Sequence, residues 1–169
     1  KLPPKKGREM QVLTPAEIER FLARAREEGY YELFLLELST GMRRGEILGL
    51  KWTDLNLADG SLRISRQVVT AGNELIVQQP KTKSSIRTIL LPPYMVEVLA
   101  EMKEKKTCDW MFPSPVKEGE PRNPTSLLHR FKLILQRSGC KDIRFHDLRH
   151  TFATMAIENG MHVKTLSGT

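Results

Sequence analysis

A chain of 169 residues, 40 % hydrophobic and 28 % charged, has room for one ordinary globular domain, which buries roughly 70 % of its unfolded surface at this size. No apolar run approaches the ~18 residues of a membrane span, and the opening KLPPKKGREMQ lacks the apolar segment of a secretory signal. The 27 Lys and Arg outnumber the 20 Asp and Glu, a net charge of +7 that points to an anionic partner, nucleic acid or a membrane surface.

The first ten or so residues read as a linker, and the lack of an initiator methionine suggests a cut from a longer protein. LTPAEIERFLARAREEG then predicts a helix with a marked start: Thr14 caps, Pro15 suits the first helical position, and Glu17 completes a capping box. Leu13 and Ile18 are spaced as a hydrophobic staple. YYELFLLELSTG is a second helix, nearly all apolar and so buried, ended by Gly41. RRGEILGLKWTDL opens a short third helix directly afterwards.

The hydrophobic period then changes. SLRISRQVV, ELIVQQ and IRTILLP are rich in β-branched residues and separated by TAGN and KTKSS, which predicts a three-stranded antiparallel meander. PPYMVEVLAEMKEKK returns to helical spacing through Met95, Val98, Leu99 and Met102. WMFPSPVKEGEPRNP, with four prolines, is loop. Asn123 and Pro124 cap a helix whose apolar stripe is Leu127, Leu128, Phe131, Ile134 and Leu135, stopped by Gly139. FHDLRHTFATMAIENG is the last complete helix, with Leu148, Phe152, Met155 and Ala156 on one side and Gly160 after its end. The expected class is mixed α+β, mainly α-helical, with a small three-stranded antiparallel sheet. Cys108 and Cys140 stand alone in unlike contexts, which suits a reducing cytoplasm and no disulfide scaffold.

Three segments carry cationic residues that stand out. His146, Arg149 and His150 fall within one helical turn, three and four residues apart, and so project together. A guanidinium at the edge of a core helix needs an anion, supplied by an acid such as Glu46 or from outside. Arg43 opens the helix after Gly41, where backbone N–H groups already favour an anion. Arg43 and Arg44 are about 100° apart on a helix, so one of the two is expected to face a given site. Lys81 and Lys83 flank a turn at the expected hairpin tip. Two arginines, a lysine and a histidine, without a carboxylate pair or metal motif, suit displacement at a phosphodiester. Paired guanidinium hydrogen bonds hold the charge that builds on the non-bridging oxygens, while lysine and histidine move protons.

TGMRRGEILGLKW, PKTKSSIRTILLP and HDLRHTFAT resemble, in order, the three motifs of the tyrosine recombinases, in the flavour of phage and conjugative-transposon integrases. The resemblance runs over residues 13–166. It implies Arg43 as the first arginine, Lys81 as the hairpin lysine with Lys83 as the alternative, and His146 with Arg149 as the H-x-x-R pair. Glu46 and His150 correspond to supporting residues, and Lys83 and Arg87 to further DNA contacts. The implied activity is site-specific strand breakage and rejoining of double-stranded DNA through a covalent 3′-phosphotyrosyl intermediate. It serves integration and excision of a mobile element, by a homo-tetramer in the cytoplasm, with no membrane association, metal or other cofactor. In this scheme residues 1–12 lead from an N-terminal DNA-binding region, and residues 13–169 are a catalytic domain cut before its nucleophile. The family pattern continues with an L-G-H-like segment and then the reactive tyrosine, whereas this sequence ends LSGT. Tyr30, Tyr31 and Tyr94 lie far upstream, where packing is the expected role.

Rival readings follow from the same residues. His146 and His150 have the spacing of a helical zinc pair, but Asp147 replaces the glutamate of H-E-x-x-H, and neither His129 nor His162 is an evident third ligand. A DNA-binding module without chemistry would share the basic surface, and a type IB topoisomerase would share the chemistry.

Overall fold

In the computed structural model, residues 11–151 are described. Helix α1 (Pro15–Glu27) begins as its sequence dictates: Glu17 N donates to Thr14 Oγ1 at 3.2 Å and Thr14 N to Glu17 Oε1 at 3.0 Å. Leu13 and Ile18 are both buried beside this cap. Helix α2 (Tyr31–Thr40) ends at Gly41, whose φ of 67° is the left-handed conformation that lets the chain reverse. Helix α3 (Arg44–Leu48) follows at once. Four phenylalanines lock this half of the molecule. Phe21 of α1 meets Phe34 of α2 at 5.1 Å between ring centroids and Phe131 at 5.8 Å, and Phe131 meets Phe145 at 5.3 Å. Phe131 belongs to α5 (Pro124–Arg137), so α1, α2, α5 and the segment at 145–151 share one core.

The strands are β1 (Leu55–Asn56), β2 (Ser61–Ile64), β3 (Gln67–Ala71), β4 (Glu74–Gln78) and β5 (Arg87–Leu90). They do not form the expected meander. β1, β2 and β5 make a three-stranded antiparallel sheet with Leu62 opposite Ile89, while β3 and β4 pair separately with Val69 opposite Ile76. The run SLRISRQVV therefore breaks at Ser65–Arg66. The reason lies in α3. A Cβ on Gly45 would stand 2.7 Å from the Val68 carbonyl oxygen, and one on Gly49 would stand 2.9 Å from that of Arg66. Two glycines one helical turn apart thus let the backbone of β3 run directly over α3, pulling it out of the β2 ladder. Arg66 fixes the departure by donating to Asp54 Oδ2 at 2.5 Å and to the Gly49 carbonyl at 2.8 Å.

Helix α4 (Pro93–Glu104) packs Met95 and Leu99 into the core. The proline-rich loop after it carries two isolated bridges, Lys51 with Trp110 and Pro113 with Pro121, and buries Met111 and Phe112. Asn123 caps α5, its Oδ1 accepting from Thr125 N at 2.8 Å and Ser126 N at 3.2 Å. The last described residues, 147–151, are helical, so His146 stands in the turn that opens this helix rather than within it. Phe152, Met155, Ala156, Gly160 and His162 lie outside the described residues, as does most of the expected linker. No helix among the described residues is long and apolar enough to cross a membrane.

Candidate functional site

Three sequence segments build one cleft. α2 ends at Gly41, whose N–H donates to the Glu37 carbonyl at 2.8 Å, and Thr40 Oγ1 accepts from Met42 N at 3.3 Å. This tight reversal leaves Arg43 as the N-cap of α3, extended (φ −73°, ψ 149°) and exposed. The second segment opens the final described helix with short-span bonds, Leu148 N to the Phe145 carbonyl at 3.1 Å and Arg149 N to that of His146 at 3.2 Å. This turn leads into the helix with His146 and Arg149 both lining the cleft. Leu13 N donates to Thr151 Oγ1 at 3.2 Å, anchoring this turn to the start of α1. The third segment is α5, which supplies Leu128 as an apolar wall.

Arg43, Arg44, His146 and Arg149 line this cleft of about 320 Å³, with Glu37, Met42 and Phe145 completing it. Both arginines of the RR pair face the site, contrary to the expectation that helical spacing would admit one. Arg43 is the cap, with extended backbone, so the 100° interval of a regular helix does not separate the two. Arg44 is half-buried, and burial lowers its pKa from the usual arginine value. Within the described residues neither the Arg43 nor the Arg149 guanidinium has a hydrogen bond or ion pair, so both donor forks remain open.

Glu46 is 3 % exposed and meets a different arginine from those the sequence suggested. Its Oε2 accepts from Arg87 Nη1 at 2.8 Å and its Oε1 from Arg87 Nη2 at 3.2 Å, while Oε1 also accepts from Arg43 N at 3.0 Å. Burial alone would raise this carboxyl. The Arg87 fork, the Arg43 N–H and the charges of both arginines outweigh it and hold the pKa below the ordinary carboxylate value. Glu46 therefore supports Arg43 through its backbone, and Arg87 grips Glu46 with both Nη atoms while the Arg87 side chain stays 40 % exposed.

His150 packs edge to face on His146, with ring centroids 5.5 Å apart. Asp147, 1 % exposed, pairs with Arg144 at 3.2 Å. Burial pushes its pKa up, but Arg144, and further off His150, bring it below the usual aspartate value. Among the described residues no group of three or more His, Cys, Asp and Glu is arranged to hold a metal ion.

Lys81 and Lys83 are exposed on the connection from β4 to β5, and neither lines the cleft. That connection joins strands of two different sheets, so it is not the hairpin tip the sequence suggested. The tip of the β3–β4 hairpin is at Gly72 instead. The tyrosines serve packing. Tyr30 stacks on Phe34 and accepts from Arg122 Nη1 at 2.7 Å, Tyr31 lies under Arg26, and the Tyr94 hydroxyl meets Ser39 Oγ at 2.5 Å. Sequence reasoning missed Glu37, a buried acid flanked by leucines in α2. Its one signal was a lone carboxylate between leucines in LFLLELST.

The family model described as the phage integrase family matches residues 11–168 of this chain. The chain belongs to the phage integrase family. As an integrase-family member it is 34 % identical over 181 aligned positions to a XerC-like tyrosine recombinase of Caldanaerobacter subterraneus, covering 94 % of this chain and 46 % of that protein. It is 28 % identical to the integrase of Mycobacterium phage L5, covering 94 % and 44 %. The integrase-family chain thus spans about half the length of the curated relatives it matches. Among solved structures, the Tn1549 transposon integrase in complex with a circular intermediate DNA superposes with a TM-score of 0.79 at 21 % identity, over 98 % of this chain and 60 % of that one. A lambda integrase tetramer bound to a Holliday junction gives 0.66 at 20 % identity, over 99 % and 48 %. These likenesses show a common fold: mixed α and β, with small antiparallel sheets against a mainly helical body.

Proposed function

We propose that this chain is the core of a catalytic domain that breaks and rejoins double-stranded DNA at specific sites for a mobile genetic element. The observation that carries this reading is the convergence of Arg43, His146 and Arg149, distant in sequence, on one cleft with open donor forks. A phosphodiester seated there meets two planar guanidiniums, each able to grip two oxygens. As a tyrosine oxygen forms its bond to phosphorus and the bond to the 5′ oxygen breaks, negative charge grows on the non-bridging oxygens. The arginines stabilise that charge more than they stabilise the ground state. His146 handles the proton on the attacking side, and Lys81 hands one to the departing 5′ oxygen, giving a 3′-phosphotyrosyl link and a free 5′ hydroxyl. Tyr30, Tyr31 and Tyr94 are engaged in packing, so none of them is assigned as the attacking group.

In the same reading, residues 13–169 belong to the catalytic domain and residues 1–12 lead in from a DNA-binding region. Lys83 and Arg87 add DNA contacts, His150 supports His146, and the protein works in the cytoplasm as a homo-tetramer on two duplexes. The support is partly by likeness, since one similar structure is a tetramer bound to a Holliday junction. One observation favours a second reading, a DNA-binding module without chemistry: Lys81 stands outside the cleft in the free chain.

A recombination assay on the product of the gene that encodes this chain separates the two. Arg43→Lys and Arg149→Lys keep the charge and lose the two-pronged geometry. Each is expected to reduce strand cleavage by about 10²-fold or more, as removing a transition-state donor does, while duplex binding changes little. Cleavage at the normal rate in either variant overturns the catalytic assignment.

A further inference from the structure

α2 carries a carboxylate where its neighbours are leucines. Glu37 is 1 % exposed, and Leu36 and Leu38 beside it are also buried. Its Oε2 has no hydrogen-bond partner among the described residues. The Glu37 carbonyl accepts the Gly41 N–H, so the side chain springs from the last turn of α2, next to the Arg43 junction. It lines the same cleft as Arg43, Arg44, His146 and Arg149. A leucine would fill this space without desolvating a polar group. A buried carboxyl oxygen left without a hydrogen bond there calls for an explanation in the groups that face it.

We propose that Glu37 is a positioning residue for Arg149, its buried carboxyl setting how far the guanidinium extends from the inner wall toward the mouth of the cleft. This rests on the phosphate-binding reading of the same cleft. The facing groups are Arg149 and His146 from the 145–151 segment, and Arg43, Arg44 and Glu46 from α3 and its cap. α5 contributes the apolar Leu128, and α4 meets α2 through the Tyr94 hydroxyl at Ser39. Burial, and then the charge of Glu46, push the Glu37 carboxyl well above the usual carboxylate range, and the charge of Arg149 opposes them. The neutral acid leaves the whole positive charge of Arg149 for a ligand. The ionised acid draws the guanidinium inward and cancels it. A phosphate at the mouth competes for Arg149, so DNA binding and protonation of Glu37 favour each other, as linkage requires.

The test uses the full chain with carbon-13 in its glutamate side chains, titrated by NMR without DNA, with Glu37 assigned by its absence in Glu37→Gln. Its resonance is expected to titrate above the ordinary carboxylate range. Arg149→Gln should raise the midpoint further by about one pH unit, a tenfold change in proton affinity. A Glu37 midpoint in the ordinary range, or one unmoved by Arg149→Gln, overturns the proposal. With a short duplex DNA, wild-type affinity should fall about tenfold more than that of Glu37→Gln between about pH 6 and pH 9. Histidine titration is common to both proteins and cancels in the comparison. Parallel pH profiles also overturn the proposal, and they decide it alone should Arg149→Gln fail to fold. If neither protein binds duplex DNA, the phosphate-binding reading fails, while the NMR titration still decides whether Glu37 and Arg149 are coupled.

Discussion

At the scale of single residues, Glu46 shows how a motif acid acquires its role. A glutamate three residues past an arginine at a helix start can be read as a cap from sequence, and Glu46 does accept the Arg43 N–H at 3.0 Å. Its second duty is non-local: it takes the Arg87 fork from β5, 41 residues away. Glu46→Gln keeps an acceptor for Arg43 N and loses the charge that faces Arg87. The expected loss is about 1 kcal/mol, typical of a hydrogen bond to a charged group in partly exposed surroundings. Thermal melting should show a Tm lower by roughly 2–4 °C for a chain of this size. The folded pKa of Glu46 is depressed, so its contribution is present above the unfolded carboxylate value and is lost as pH falls through the folded one. The gap between variant and parent should therefore close in acid, and a gap that widens there would assign the effect to something other than the charge.

At the scale of elements, caps and apolar periods in the sequence specify most of the helices. Thr14 with Glu17, Gly41, and Asn123 with Pro124 act within their own turns, so these helix ends are visible without any tertiary information. The sheet was less legible. β-branched runs announce strands and leave their partners open, because ladder hydrogen bonds are made with residues distant in the chain. SLRISRQVV reads as one strand and becomes two because Gly45 and Gly49 admit the β3 backbone onto α3, a packing event outside the run itself. Gly45→Ala places a methyl group 2.7 Å from the backbone oxygen of Val68, which cannot swing aside as a side chain would. It should cost about 1–3 kcal/mol, the range for overpacking, seen as a lower urea midpoint. Faster amide exchange in β3 than in β2 would locate the damage in the separate hairpin. An unchanged midpoint would mean that α3 and β3 part readily.

At the scale of the whole molecule, Glu28 closes the helical half by holding Arg24, Arg130 and Arg137 at 2.7–2.8 Å, clasping the end of α1 to α5. Burial opposes its charge, but the three arginines bring its pKa to about 2; Glu17, capping α1 and facing Lys141, also stands at about 2. Both are depressed, so both add stability above the unfolded carboxylate range and lose it as pH falls from about 4.5 toward 2. Glu28→Gln should flatten the fall in Tm across that window, and an equally steep fall would show that the clasp adds little. What the amino-acid order indicated by itself was local or carried by motif: helix starts and stops, the mixed helical class, the family, and the grouping of Arg43, His146 and Arg149, which line one cleft. Tertiary structure alone decided which strands pair, that both Arg43 and Arg44 reach the cleft, that Glu46 holds Arg87, and that Glu37 lines the same cleft as Arg149 with its Oε2 unbonded among the described residues. The division follows from range. Dihedral preference and capping act over a few residues, whereas burial and charge pairing depend on where the chain returns.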